Sequence, residues 1–385
     1  MAKRPEVALL IETSNSYARG LLRGIYAYLR EHDPWSIYLP ELGRGDAPPN
    51  GLNSWRGDGI IARIENPQIA KAVRQTRAHA IDVSAERLIP DLPGVETDNE
   101  AIARLAFEHL FERGFRHMAY CGGGGFQWSV ERHRWFTQLA EESGCTVSVF
   151  PPPGLKCAPT DTWEHKAKEL AVWLRKLRKP CGLMACYDVR GRQVLDICRR
   201  AGIAVPDEIA VVGVDNDDLL CSLAVPPLSS VVPDTLRAGY HAAELLDQLM
   251  AGRKVEAGLR LIKPTGIVTR QSSDVLATAD PDVSSAVRFI RDHACDGIKM
   301  ADVLRAIPVS RRVLENRFKK MLGHTPHEEI LRVQLQRARQ LLEETDLSVA
   351  SIADRTGFKY VEYLSAVFKR HFGQPPSQYR TDHRA

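Results

Sequence analysis

The 385-residue chain is 44% hydrophobic and 26% charged with a net charge of +4, the balance of an ordinary globular protein of two or three domains and not of a disordered or fibrous one. The charge is uneven: from Ser284 onward 18 Lys and Arg face 12 Asp and Glu, while the preceding part is slightly acidic. A basic C-terminal block suits a polyanion partner, and no apolar run approaches the roughly 18 residues of a membrane span, so a membrane is not expected among the partners.

Val7–Ile11 is an apolar run too short and too soon interrupted for a signal peptide. From there strand-like runs alternate with helical patterns: a helix near Arg19–Leu29, a strand at Gly59–Ala62, a helix near Pro67–Arg77, Ala80–Val83, a helix near Glu100–Arg113, and His117–Cys121. Next come a helix near Ser129–Ser143, Thr146–Phe150, a helix near Thr162–Leu177, Gly182–Cys186, a helix near Arg190–Ala201, and Ala210–Val214. Such alternation predicts parallel sheets covered by helices on both faces. Ligands of these sheets bind at the carboxyl ends of the strands. The eight cysteines, Cys121, Cys145, Cys157, Cys181, Cys186, Cys198, Cys221 and Cys295, show neither a C-x-x-C pair nor zinc spacing. They read as reduced packing residues of a cytoplasmic protein.

The residues placed after those strands can hold a polar ring compound. Asn15, Tyr17 and Arg19 follow the first strand; Trp128 and Arg132 follow His117–Cys121; Asp188 and Arg190 follow Gly182–Cys186; Asp215 and Asn216 follow Ala210–Val214. Carboxylates and amides suit pairs of hydroxyls, Arg adds donors, and an aromatic face suits the C–H surface of a sugar ring. The turn Cys121-Gly-Gly-Gly-Gly-Phe126 lacks both G-x-G-x-x-G spacing and the Lys-Ser/Thr of a phosphate-binding loop, so it reads as a loop admitting ligand. No cofactor fingerprint, nucleophile elbow or metal-ligand cluster is present, and no cofactor, metal or catalytic residue is expected.

After Arg270 the strand pattern ends, and polar Gln271–Asp274 and Ala279–Asp282 suggest a linker over 271–283. The chain thus divides into residues 1–270, an α/β sensor of two lobes with crossings near 99, 230 and 260; the linker; and an all-α unit over 284–385. Helices are expected at 284–294, 300–306, 310–322, 326–343, 348–355, 360–372 and 376–380. In the first part of this unit Met300–Ile307 is stopped by Pro308, and Ser310 is suited to cap the next helix, whose core face would be Val313, Leu314, Phe318, Met321 and Leu322. The second part repeats the plan with Val349–Arg355, a turn at Gly357 and a helix over Tyr360–Phe372, its core Phe358, Leu364, Val367, Phe368 and Phe372. His327–Glu343 is a rigid spacer between two helix-turn-helix units, whose reading helices can enter successive major grooves about 34 Å apart.

Ser348-Val-Ala-Ser-Ile-Ala-Asp-Arg-Thr-Gly-Phe358, followed by Tyr363-Leu-Ser-Ala-Val-Phe-Lys-Arg-His-Phe-Gly-Gln-Pro-Pro-Ser-Gln-Tyr-Arg380, resembles the signature of the AraC/XylS family. Pro308 departs from the glycine common in that family's first turn. The resemblance implies base-reading positions at Arg312, Glu315 and Asn316 in the first unit and at Val361, Glu362 and Ala366 in the second. The second set is small or apolar, so the first helix would supply most direct readout. Arg311, Lys319, Lys320, Lys369 and Arg370 would hold phosphates.

Val95-Glu-Thr-Asp-Asn99, Val205–Asn216 and Pro227–Val231 are similar to pieces of the periplasmic-binding-protein fold used by LacI/GalR sensor domains. A sensor of that kind ahead of an AraC-type unit resembles the XylR-type regulators that respond to xylose. The resemblance puts most weight on Asp215, Asn216, Asp188 and Arg132, and implies a homodimer that binds double-stranded DNA and a small sugar effector, with RNA polymerase as a further partner. The expected function is a non-enzymatic regulator of pentose catabolic genes, most simply an activator, in which sugar-driven lobe closure changes how DNA is presented. Two other classes remain open: a sugar-processing α/β enzyme fused to a DNA-binding tail, and a constitutive DNA binder with a degenerate sensor.

Overall fold

The computed structural model describes residues 4–49, 51–123, 125–151, 163–275 and 280–383. Gly124 of the glycine turn, Cys157, the helix start at Thr162 and residues 276–279 of the expected linker lie outside the described residues. The chain forms two compact units, Met1–Val275 and Leu276–Ala385.

The first unit is the expected pair of α/β lobes. Its N-terminal lobe carries β1 (Glu6–Leu10), α1 (Ser16–Glu31), β2 (Ser36–Tyr38), β3 (Gly59–Ala62), α2 (Pro67–Gln75), β4 (His79–Asp82) and β5 (Gly94–Thr97). The second lobe carries α3 (Asn99–Glu112), β6 (His117–Cys121), α4 (Gln127–Glu142), β7 (Thr146–Phe150), α5 (Trp163–Lys176), β8 (Cys181–Ala185), α6 (Asp188–Ala201), β9 (Ile209–Val214), α7 (Asp218–Leu223) and β10 (Ser229–Val232). The chain then returns through α8 (Thr235–Met250) and β11 (Leu259–Ile262) to the first sheet and ends with β12 (Gly266–Val268) in the second. The sheet orders are β11-β5-β4-β3-β1-β2 and β12-β10-β9-β8-β6-β7. All pairings run parallel except β10 with β12.

Interior strands are continuous apolar runs because helices cover both faces; all of Ile209–Val214 is buried. The short β2 is wholly exposed and β11 nearly so, although both carry large apolar residues, Ile37 and Tyr38 in the first and Leu259 and Leu261 in the second. Asn15, Asn66, Asp98, Asp217 and Asp234 cap α1, α2, α3, α7 and α8 through their side chains. The return helix α8 lies against α1 at glycine contact distance: a Cβ on Gly24 would fall 2.0 Å from the Leu236 carbonyl oxygen, and one on Gly239 2.0 Å from that of Leu21.

The stretch 271–275 belongs to the first unit and is not linker. Ser272 Oγ donates to the Val211 carbonyl at 2.6 Å, and Ser273 Oγ lies 2.7 Å from both Ser229 Oγ and His109 Nε2. Serines chosen by a polarity rule are here fully buried, their hydroxyls satisfied inside the lobe.

The second unit comprises α9 (Pro281–His293), α10 (Met300–Ala306), α11 (Arg311–Leu322), α12 (Pro326–Glu344), α13 (Val349–Arg355), α14 (Val361–Phe372) and α15 (Pro376–His383). The first helix begins before the expected Ser284 because Asp280-Pro281 is a cap followed by a first-position proline, not a turn. Ser310 and Ser348 cap equivalent helices, and Gly323 and Gly373 end α11 and α14 in the left-handed conformation at φ +78° and +83°. Thr325 and Glu328 form a capping box on α12. Leu314 and Phe318 are fully buried, as are Leu364 and Phe368 in the second half. Val313 departs from its expected core position: it is 39% exposed, because one residue before Leu314 turns it about 100° away from the buried stripe.

Candidate functional site

Four of the nine residues proposed from strand ends line one crevice between the lobes: Tyr17 from the first lobe and Trp128, Arg132 and Asp215 from the second, joined by Arg44, Arg63 and Glu96. Arg132 is buried and fixed on both sides, Nε donating to Asn99 Oδ1 at 2.9 Å and Nη1 to the Cys186 carbonyl at 2.7 Å. Its guanidinium lies 5.1 Å from the Trp128 ring. Opposite, Arg63 is buried between Glu12 and Glu65 and stacks 5.1 Å from Tyr17, whose hydroxyl donates to Glu96 Oε1 at 2.9 Å.

The other five residues support the crevice without lining it. Asn15 caps α1 by accepting from the Ala18 amide and donates to Glu12. Arg19 donates to the Thr13 carbonyl and reaches Asp217 across the lobes at 3.7 Å. Asp188 lies below the surface, accepting from Ser230 Oγ at 2.6 Å and the Asp217 amide at 2.7 Å. Arg190 donates to Gln193 on its own helix. Asn216 accepts from Arg270 Nη1 at 2.9 Å. Asp215 and Asn216 have φ of +106° and +46°, left-handed values that side chains adopt at a cost and that occur where surrounding structure demands them.

The crevice is rich in unanswered polar atoms. Trp128 Nε1, Arg63 Nε and Arg44 Nε are buried donors with no hydrogen-bond partner. Burial pushes Asp215 up to about 6 against the pull of Arg132, Arg44 and Arg63, and pushes Glu96 up to about 7 against Arg63. Burial, with Asp215 nearby, raises Asp188 as well. Orphan donors facing carboxylates are the complement of a polyhydroxylated molecule, whose hydroxyls both accept and donate. About 10 Å³ remains here for the centre of a water-sized sphere, the room of one water. A larger occupant therefore has to move part of the wall.

Among the described residues the glycine turn forms no phosphate cradle. The Gly122 amide donates to the Phe150 carbonyl, the Gly123 amide to Ser129 Oγ and the Gln127 amide to Glu86, which leaves these donors engaged. The buried cysteines are pushed up by desolvation and remain free thiols among the described residues.

In the helical unit Arg312, Asn316, Lys319 and Lys320 are exposed on α11, and Glu362, Ala366, Lys369 and Arg370 on α14. Arg311 is exposed as well but is tied to Glu315 at 2.8 Å, one turn on. Val361 packs against the core cluster of the second half, which limits what it can read. Sequence patterns missed exposed Val313, Tyr360 and Tyr363, which sit on or beside the same two helices. The helical pattern places Val313 in the core and gives the two tyrosines no role. Among the described residues no helix is long and apolar enough to cross a membrane.

Comparison with known proteins agrees with this architecture. Residues 6–100 match a family described as the XylR N-terminal domain, 107–273 a periplasmic binding protein-like domain, and 303–382 a helix-turn-helix domain. The chain is 34% identical to the xylose operon regulatory protein of Escherichia coli strain K12 over 98% of this chain and 97% of that one. It is 33% identical to the protein of the same description from Haemophilus influenzae strain Rd over 97% and 98%. A solved structure of a xylose-binding transcription activator superposes with a TM-score of 0.81 at 34% identity, covering all of both chains. A cellobiose complex of the regulator CelR, at 20% identity and a TM-score of 0.57 over 71% of this chain, shares the sensor fold. Full-length similarity to regulators sets aside the fused-enzyme alternative. The chain belongs to the family of xylose operon regulatory proteins, DNA-binding transcription regulators in which a two-lobed sensor precedes a helix-turn-helix domain.

Proposed function

We propose that this protein activates pentose catabolic genes in response to D-xylose or a closely related pentose held between Tyr17, Glu96 and Arg63 on one lobe and Trp128, Arg132 and Asp215 on the other. The observation that carries the reading is the set of buried donors without partners, Trp128 Nε1 and Arg63 Nε, in a crevice that also holds the Glu96 and Asp215 carboxylates. Each hydroxyl of a pentose can satisfy one such group, and leaving them unmatched is costly. Trp128 offers the ring face that a sugar's C–H surface needs. Asp188, Asn216, Asn15 and Arg19 position the loops that carry these groups.

On DNA, Arg312 and Asn316 read bases from α11, with Glu315 released from Arg311 on binding, since an exposed pair of this kind contributes little. Lys319, Lys320, Lys369, Arg370 and Arg311 hold phosphates. The α14 helix contributes position more than sequence, through Glu362, Ala366 and Tyr363. The protein acts as a cytoplasmic homodimer that engages RNA polymerase at the promoters it activates.

Thermal unfolding across a panel of pentoses and hexoses tests the reading, because a ligand bound only by the folded state raises stability by RT ln(1 + [L]/Kd). D-xylose is expected to raise the transition more than any hexose. Equal melting with every sugar would favour a constitutive DNA binder.

A further inference from the structure

Arg44 stands apart from the other residues of the crevice. It comes from the loop between β2 and β3 of the first lobe, and its guanidinium is enclosed by three aromatic rings of the second, with the carbon Cζ 5.5 Å from Phe126, 5.4 Å from Trp128 and 5.4 Å from Tyr187. Phe126 and Trp128 stack on each other at 5.4 Å, and Tyr187 meets Trp128 edge-on at 5.6 Å, so the rings form a cup. Phe126 and Tyr187 occupy the N-cap positions of α4 and α6 without making a capping bond. Ser, Thr, Asp or Asn there would accept from a free amide of the first turn and stabilise each helix. Aromatic residues at both caps are thus placed for the cup and not for the helices.

The grip on Arg44 is of a different kind from that on its neighbours. Arg63 and Arg132 are anchored by short hydrogen bonds, whereas Arg44 Nε is buried without one and stands 3.9 Å from Glu12. Its attachment is cation–π contact and a long ion pair with Glu12, and the space left beside it admits one water. A sugar ring needs the Trp128 face, and of the three arginines that line the crevice Arg44 is the one that can leave without breaking a hydrogen bond.

We propose that Arg44 is an internal competitor of the effector: it fills the aromatic cup across the lobes, and the effector binds by displacing it, so that Arg44 sets the sugar concentration at which the regulator responds. The proposal rests on the crevice being the sugar site. A protein that spends part of its time with the cup filled binds with an apparent Kd raised by the inverse of its competent fraction. Deleting the competitor removes that factor.

Isothermal titration of full-length Arg44→Ala and Arg44→Gln with D-xylose, beside the unsubstituted protein, tests this. Both variants are expected to bind about tenfold more tightly, since a desolvated cation–π grip approaches that factor, Arg44→Ala at least as tightly as Arg44→Gln. Equal or weaker binding by the variants would overturn the competitor and make Arg44 a bystander or a sugar contact, leaving the sugar site standing. Absence of binding by all three proteins, each with an intact unfolding transition, would overturn the sugar reading and the competitor with it.

Discussion

Tyr17 on α1 donates its hydroxyl hydrogen to Glu96 on β5 at 2.9 Å, with both side chains buried in the wall of the crevice. Burial pushes Glu96 up to about 7, whereas an unfolded chain's carboxyl titrates near about 4.3. Between those values the unfolded state releases the proton and the folded state keeps it. The contribution is therefore whole below about 4.3 and is lost as pH rises through the window, by up to about 1.4 kcal/mol per unit. Glu96→Gln keeps an acceptor for Tyr17 and cannot titrate. Its melting temperature is expected to gain on that of the parent protein from pH 5 to pH 8; a constant difference would show that Glu96 ionises normally.

Asp215→Asn separates binding from stability. Removing a buried carboxylate pushed up to about 6 is expected to leave the unliganded protein as stable or more so. A charge-assisted hydrogen bond to a sugar hydroxyl is worth roughly 1.5–3 kcal/mol, so D-xylose affinity should fall at least tenfold by titration calorimetry. An unchanged affinity would remove Asp215 from the site.

Arg312→Ala and Lys369→Ala should fail differently on DNA. The first is expected to relax sequence preference in a binding-site selection, and the second to weaken all duplexes alike and lower the salt slope by about one unit. Identical losses would contradict the division between a reading helix and a positioning helix.

Gly357 is held at φ +76°, with the Gly297 amide nitrogen 2.7 Å and the Ala294 carbonyl oxygen 2.8 Å from where a Cβ would be. Gly373, at φ +83°, has no such neighbour within 4 Å. Gly373→Ala is expected to cost about 1 kcal/mol from conformation alone. Gly357→Ala should cost clearly more, read as the unfolding of the helical unit, because the turn before α10 must also shift.

The crevice was partly legible because Tyr17, Trp128, Arg132 and Asp215 follow strands, where ligands of parallel sheets collect. The same rule points to Arg63, directly after β3, although no motif draws attention to it. Glu96 lies inside a strand and reads as an alternating residue until its burial is known. Arg44 sits in a loop without periodicity, so only the three-dimensional path of the chain brings it to the aromatic cup. Asp188 and Asn216 had the right chemistry at the right strand ends, but hydrogen bonds to Ser230, the Asp217 amide and Arg270 turn them to support. The helical unit was more legible because caps and left-handed glycines are local signals, repeated in both halves. Its one misplaced core residue, Val313, lies a single position from the buried stripe.

The central claim is that a pentose in the crevice controls DNA binding by the helical unit. Fluorescence anisotropy of a duplex selected by the full-length protein tests it most directly, titrated with D-xylose, with D-glucose and without sugar. D-xylose is expected to tighten DNA binding by about fivefold or more, the range of ordinary coupling energies, while D-glucose leaves it unchanged. The same Kd in all three titrations would contradict the account.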